Sequence, residues 1–298
     1  MATMQRFAGT ITAPALVLLL LLAAVTGLSG AWPGGSAPVV APPDVVVVPP
    51  HAASYRAAGE FLRGGGVVDA PLVDNSHPEP VLVTALQVSA GDYTRCVAEG
   101  ACKPAADSAA TAALPVTGVS FADAMAYAGW LSRATGQFWR LPTDAEWSFF
   151  AGSRFTDDAL GLAADPADPS RRWRAAYALE SARGNGAFGK VAPAGHFGRN
   201  EFGVTDLAGS VWEWTATCYD RTHLGARGTA PAVTQNCNVR VAEGRHRAYI
   251  TAFIRDARGG GCAQGLPPDH LGFRLVRQAN PVPLLERLQV WWTYRAAS

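Results

Sequence analysis

Charge of a single sign is the first thing missing. Lys and Arg number 25 and Asp and Glu 24 in 298 residues, so no net field draws the whole chain toward nucleic acid or acidic lipid. Charged residues are 16% of the chain against 49% hydrophobic, a balance that excludes disorder throughout and fits a packed globular protein. Cysteine is scarce, at five residues, with no CxxC spacing to suggest a thiolate metal site. The six histidines, His51, His77, His196, His223, His246 and His270, include no HxxxH or HExxH pairing. Repeats are absent too, and no second low-complexity break interrupts residues 51–280, which sets one domain of about 230 residues.

The one long apolar run lies at the N-terminus. Arg6 precedes an apolar stretch from Leu16 to Leu22, and the small residues Ser29, Gly30 and Ala31 come before Trp32, the pattern of an export signal over residues 1–31. The uncharged stretch is also long enough to stay as an anchor, since a spanning helix needs about 20 residues. Either way the expectation is a periplasmic or membrane-anchored chain whose only membrane contact is this segment. Residues 32–50, with "PGGSAPVVAPPDVVVVPP", read as a Pro-rich extended linker. The tail 281–298 spaces Leu284, Leu285, Leu288, Trp291 and Trp292 like one helical face, docked on its own domain.

Export makes disulfides the first reading of the cysteines. Cys96 and Cys102 can close a small loop around "VAEGA". Of Cys218, Cys237 and Cys262, two can bridge and leave one thiol; Cys218 and Cys237 are the candidate disulfide residues, with the pairing in the trio open. A soft-metal site for Cu(I) is the competing reading of the trio.

Two helices announce themselves. In "VSFADAMAYAGWLSRATG", Ser120 caps, Asp123 sits third, Ala124, Tyr127, Ala128 and Leu131 form a buried stripe, and Gly136 ends the helix. In "PTDAEWSFFAGS", Thr143 and Glu146 make a capping box, and Trp147 and Phe150 face inward. Beyond Gly152 come short apolar pieces between Gly, Pro, Asn and Asp, which read as loops with short strands. Two early helices and a loop-rich remainder around a small antiparallel sheet give an α+β fold. Arg140, Asp206 and Arg274 read as side chains that satisfy loop backbone groups.

Four ordered stretches carry a resemblance: "PVTGVSFADAMAYAGWLS", "WRLPTDAEWSFFAGS", "NEFGVTDLAGSVWEWT" and "LGFRLVR". Together they resemble the sulfatase-modifying-factor family, whose best-known member is the formylglycine-generating enzyme, over roughly Leu114 to Arg277. The resemblance implies a C-type-lectin-like fold with little regular structure. It also implies a structural calcium held by backbone carbonyls and a glutamate, mapping onto Ala208, Gly209, Val211 and Glu213, with Ser210 where the family has Asn. A buried Glu213 paired with an arginine is the alternative.

The enzyme of that family oxidises a cysteine to an aldehyde with copper held by two cysteines. Here no cysteine lies between Cys237 and Cys262, so the copper-thiolate pair is absent and the chain's status as an enzyme is open. The family's iron-using branches take histidines from an additional domain that this chain does not show. What remains of the cleft is "EGRHRAY", with His246 and Tyr249, then Arg255, and Trp214 as a stacking wall; its basic groups suit an anionic or peptide ligand. Two exported subgroups look similar, the accessory proteins encoded with copper nitrite reductase and periplasmic regulators of type VI secretion. The expectation is a non-catalytic accessory or maturation factor for an exported partner protein or peptide, the nitrite-reductase group foremost. The alternative is a metal-dependent oxidase like the pyoverdine-maturation branch, which would need a redox metal.

Overall fold

The computed structural model describes residues 40–107, 111–156, 170–182, 190–225, 229–256, 261–263 and 270–278. The expected signal or anchor segment 1–31 and the expected tail helix 281–298 lie outside the described residues.

Thirteen strands and four α-helices are laid out among the described residues, with a 3-10 turn at Gly152–Arg154. A four-stranded antiparallel sheet takes β1 (Val45–Val48), β6 (Val81–Thr84), β13 (Val276–Arg277) and β7 (Trp139–Arg140), in that spatial order. The first and last of the described strands are thereby both paired on β6, since Val48 faces Val81 and Val276 faces Val83. The expected linker 32–50 therefore contributes a strand. Four consecutive β-branched valines are good strand material, and Val48 is fully buried.

The second sheet is larger and mixed. Its path runs β11 (Gly261–Ala263), β10 (Ala248–Thr251), β9 (Ala232–Glu243), β8 (Trp212–His223), β3 (Glu60–Arg63) and β4 (Gly66–Val68). Strand β12 (Leu271–Gly272) also pairs with β8, in parallel, as does β3. Two of these strands run 12 residues, longer than the short pieces that the Gly and Asn punctuation suggests. A bulge breaks the β8–β9 ladder: Cys218 faces Arg240 but the next residue, Tyr219, faces Asn236, so Cys237, Asn238 and Val239 crowd opposite one step. A third, two-stranded sheet pairs β2 (Ser54–Arg56) with β5 (Leu72–Asp74).

Both expected helices form with their caps. Helix α2 (Phe121–Thr135) has a full Ser120–Asp123 capping box and stops at Gly136 in the left-handed region, φ 69°. Helix α3 (Asp144–Ala151) has the Thr143–Glu146 box and buries Trp147 and Phe150. Two further helices went unannounced: α1 (Ala90–Ala98), capped by Ser89, and α4 (Arg171–Ala182). One core packs α1, α2 and the rings of Trp139, Trp212, Trp214 and Phe273; a second gathers Trp147, Phe149 and Phe150 with Val83 and Val276. Each tryptophan of the first core spends its one donor on a nearby oxygen, as Trp214 Nε1 does on the Val119 carbonyl at 2.8 Å.

Candidate functional site

The Trp-Glu-Trp strand β8 plants Glu213 between the two cores. Its residue is 1% exposed, and four donors converge on its two oxygens. Arg274 Nη2 (2.7 Å) and Gln87 Nε2 (2.8 Å) donate to Oε1; Arg274 Nε (2.6 Å) and Trp147 Nε1 (2.8 Å) donate to Oε2. A carboxylate has about four lone-pair sites, so none is left over for a hard cation, and the guanidinium already neutralises its charge. The donor set at Glu213 does not fit calcium coordination. Arg274 also donates to the carbonyls of Thr84 and Thr205. Asp206 accepts backbone N–H groups from Gly195 and from Phe197 (2.8 Å). Arg274 and Asp206 thus do serve loop backbone.

The loop before Glu213 is shaped by backbone constraints. Asp206 and Ala208 hold φ near 59° and 54°. A Cβ on Gly209 would lie 2.5 Å from the Phe197 ring, which is why the loop needs glycine there. Ser210 Oγ accepts from the Ala192 N–H at 3.1 Å. Between Gln87, Asp206, Ser210 and Val211 lies a cavity of about 10 Å³, and Gln87 Oε1, buried beside it, has no protein partner. That volume suits one bridging water.

A second buried charge cluster was not legible as such. Arg247, Asp144 and Glu243 are each within 2% of full burial. Arg247 Nε donates to Glu243 Oε1 at 2.8 Å and to Asp144 Oδ1 at 3.2 Å, and Nη2 reaches Asp144 Oδ2 and the Arg56 carbonyl. Burial, with Asp144 adding to it, pushes the nearby Tyr55 hydroxyl up to about 12. Glu243 and Arg247 are four residues apart across the β9–β10 turn, a spacing that reads in sequence as an exposed basic motif and not as a core ion pair.

The expected cleft residues are not brought together. Trp214 is a core residue, edge-on to Phe121, and offers no stacking wall. His246 leans on Trp212, with Nδ1 3.0 Å from the Arg247 carbonyl oxygen and Nε2 buried without a partner. Tyr249 sits on the other side of its strand against Tyr219, its hydroxyl accepting from Gly59 N–H at 2.9 Å. Arg255 holds Asp123 at the head of α2 through two nitrogens, at 2.8 and 2.9 Å, and the Pro104 carbonyl with a third. The "EGRHRAY" arginines are likewise engaged: Arg247 points inward and Arg245 lies over the Trp212 ring. The turn between β9 and β10 sends Arg245, His246 and Arg247 to different partners, so a basic cluster in sequence becomes distinct sites in space.

The cysteines pair as Cys96–Cys102 and Cys218–Cys237. The fifth cysteine, Cys262, lies on β11, where its backbone faces Tyr249. Among the described residues no group of three or more His, Cys, Asp or Glu is placed to hold a metal ion.

Residues 35–279 match the family model described as the sulfatase-modifying factor enzyme 1-like domain. The chain is 38% identical over 197 residues to a formylglycine-generating enzyme of Mycobacterium tuberculosis, which covers 59% of this chain and 60% of that one. It is 30% identical over 184 residues to the inactive C-alpha-formylglycine-generating enzyme 2 of Bos taurus, covering 57% and 52%. The chain thus spans about half to three fifths of the length of these curated relatives. Among solved structures, PvdO from Pseudomonas aeruginosa aligns over 79% of this chain and 94% of its own, at 22% identity and a TM-score of 0.47.

Proposed function

The chain belongs to the sulfatase-modifying factor enzyme 1-like family, and from that membership we propose that it is an exported, non-catalytic accessory protein that binds or matures a partner protein. Cysteine arithmetic carries this reading. Copper oxidation of the family kind needs two thiolates on one soft ion. With Cys96–Cys102 and Cys218–Cys237 bridged, Cys262 is the single thiol left, and no cysteine stands between Cys237 and Cys262. A scaffold with filled cores and a missing thiolate pair suits recognition better than turnover. The bovine relative, named as inactive, supports the view that the scaffold serves without the chemistry.

The surface offered for recognition lies at the turn that follows β10. After β10 the chain turns and exposes Phe253 at 78%, next to Arg255. An exposed aromatic on a turn anchored by an ion pair is the material of an interface hot spot. Disulfides fit an oxidising, exported compartment. A copper nitrite reductase is the first partner to try. Placing a photo-crosslinker at position 253 in the producing cell should trap a discrete partner; a comparable adduct from an arbitrary surface position, or none, contradicts the proposal.

One observation favours a metal-dependent oxidase instead. His246 has the arrangement of a metal ligand, one ring nitrogen against a backbone carbonyl and the other without a partner. That reading requires His246→Ala to abolish both turnover and binding of a stoichiometric redox metal.

A further inference from the structure

We propose that Cys218–Cys237 is an exchangeable disulfide able to oxidise a dithiol on another molecule, with Arg240 stabilising the sulfur that leaves. The inference requires no metal, and it touches the accessory reading at one point: the cysteine count used there is that of the oxidised protein.

The two sulfurs are in unlike surroundings. Cys218 is buried on β8, and Arg240 Nη1 donates to its Sγ at 3.1 Å. The guanidinium is held there by the Ala216 carbonyl at 2.8 Å and lies 4.1 Å from the centre of the Phe121 ring. Cys237 is half-buried and belongs to the bulge on β9, where Cys237 to Val239 stand opposite a single step of β8. Asn236 and Asn238 on either side are exposed, which gives an attacking thiolate a path to the Cys237 sulfur. By contrast, Cys96 and Cys102 are both buried at the end of α1, with the Ala101 and Cys102 N–H groups on the Cys96 carbonyl and, among the described residues, no arginine hydrogen-bonded to either sulfur.

Exchange is fastest when the accessible sulfur is attacked and the leaving sulfur is the better thiolate. A cation in hydrogen-bond contact lowers a thiol's pKa well below the free value of about 8.5. The geometry therefore sets the direction. A thiolate of the incoming dithiol attacks Cys237 Sγ; the S–S bond breaks and its electron pair goes to Cys218 Sγ, which leaves as a thiolate beside Arg240. The second thiolate of the dithiol then attacks its own sulfur in the mixed disulfide and releases Cys237, which takes up one proton. The dithiol loses two electrons and two protons and becomes a disulfide. The protein gains the two electrons and one proton, held as Cys237–SH and Cys218–S⁻, and one proton goes to water.

The test is graded reduction of the whole protein by dithiothreitol, with maleimide labelling and mass spectrometry to time each cysteine. Cys218 and Cys237 should become labelled on the order of 10-fold sooner than Cys96 and Cys102, and Arg240→Met should slow them by about the same factor. Equal rates for the two disulfides would overturn the proposal. Arg240 also packs on Phe121, so a second measurement stands without altering it: in Cys237→Ser, the Cys218 thiol should titrate below about 8.5 by alkylation rate. A value above that would overturn the proposal as well.

Discussion

Arg274 and Glu213 meet through two parallel hydrogen bonds, 2.6 and 2.7 Å, with the arginine side chain 0% and the glutamate 1% exposed. The pair ties the closing Gly-Phe-Arg segment to the Trp-Glu-Trp strand 61 residues earlier. Taking one member from a buried pair leaves an uncompensated charge or donor set, at a cost of about 3–5 kcal/mol. Arg274→Met should therefore lower stability by that amount in urea unfolding followed by tryptophan fluorescence. A loss under about 1 kcal/mol would mean that the pair is not buried as described.

Because four donors fill Glu213, calcium should add nothing at this carboxylate. The melting temperature in excess EGTA should equal that in millimolar calcium. A rise of several degrees with calcium would place a cation on the loop at Ala208 to Glu213 and refute the saturated-carboxylate account.

Glu146 predicts an acid limb. Burial pushes its carboxyl up, but the Arg140 hydrogen bonds and charge and the Thr143 donors outweigh burial and hold it below the ordinary carboxylate range. A carboxyl depressed in the folded state contributes stability that is present above the unfolded value and lost as pH falls through the folded one. Glu146→Gln should be less stable than the parent at pH 7, and the gap should close as the pH is lowered below about 4. A gap independent of pH would assign the effect to packing and not to charge.

Arg247 is shared by two buried carboxylates, Asp144 and Glu243. Arg247→Met should cost about 3–5 kcal/mol in unfolding experiments, and adding Glu243→Gln should recover part of that loss by removing one stranded charge. Simple additivity of the two losses would contradict the sharing of one guanidinium.

Gly272 in the closing segment is fixed by close packing. A Cβ there would stand 2.5 Å from the Val116 carbonyl and 2.8 Å from Val211. Gly272→Ala should destabilise by about 1–3 kcal/mol through overpacking, measured as above.

Much of the fold was legible where local chemistry decides the outcome. Ser120 with Asp123 and Thr143 with Glu146 announce their helices because the caps are made within four residues, and both boxes form. The family itself was readable in four ordered motifs. Less could be read where the answer depends on distant chain. Val45–Val48 looks like linker until β6 supplies its partner. Arg247 looks like an exposed base until α3 brings Asp144 to it, and Gln87 carries no signal at all before Glu213 meets it 126 residues later. The candidate cleft fails for the same reason: long-range packing sends Trp214, His246, Tyr249 and Arg255 to different surroundings. Only the Cys96–Cys102 pair, six residues apart, could be placed by spacing alone.

The most direct test of the account is oxygen consumption by the full protein, supplied with Cu(I) and a cysteine-containing peptide, and scored for aldehyde by mass spectrometry. With both disulfides formed, the account predicts no oxygen uptake above that of copper and peptide alone and no aldehyde, because one unbridged cysteine cannot supply a two-thiolate site. Turnover of the peptide to an aldehyde would contradict it.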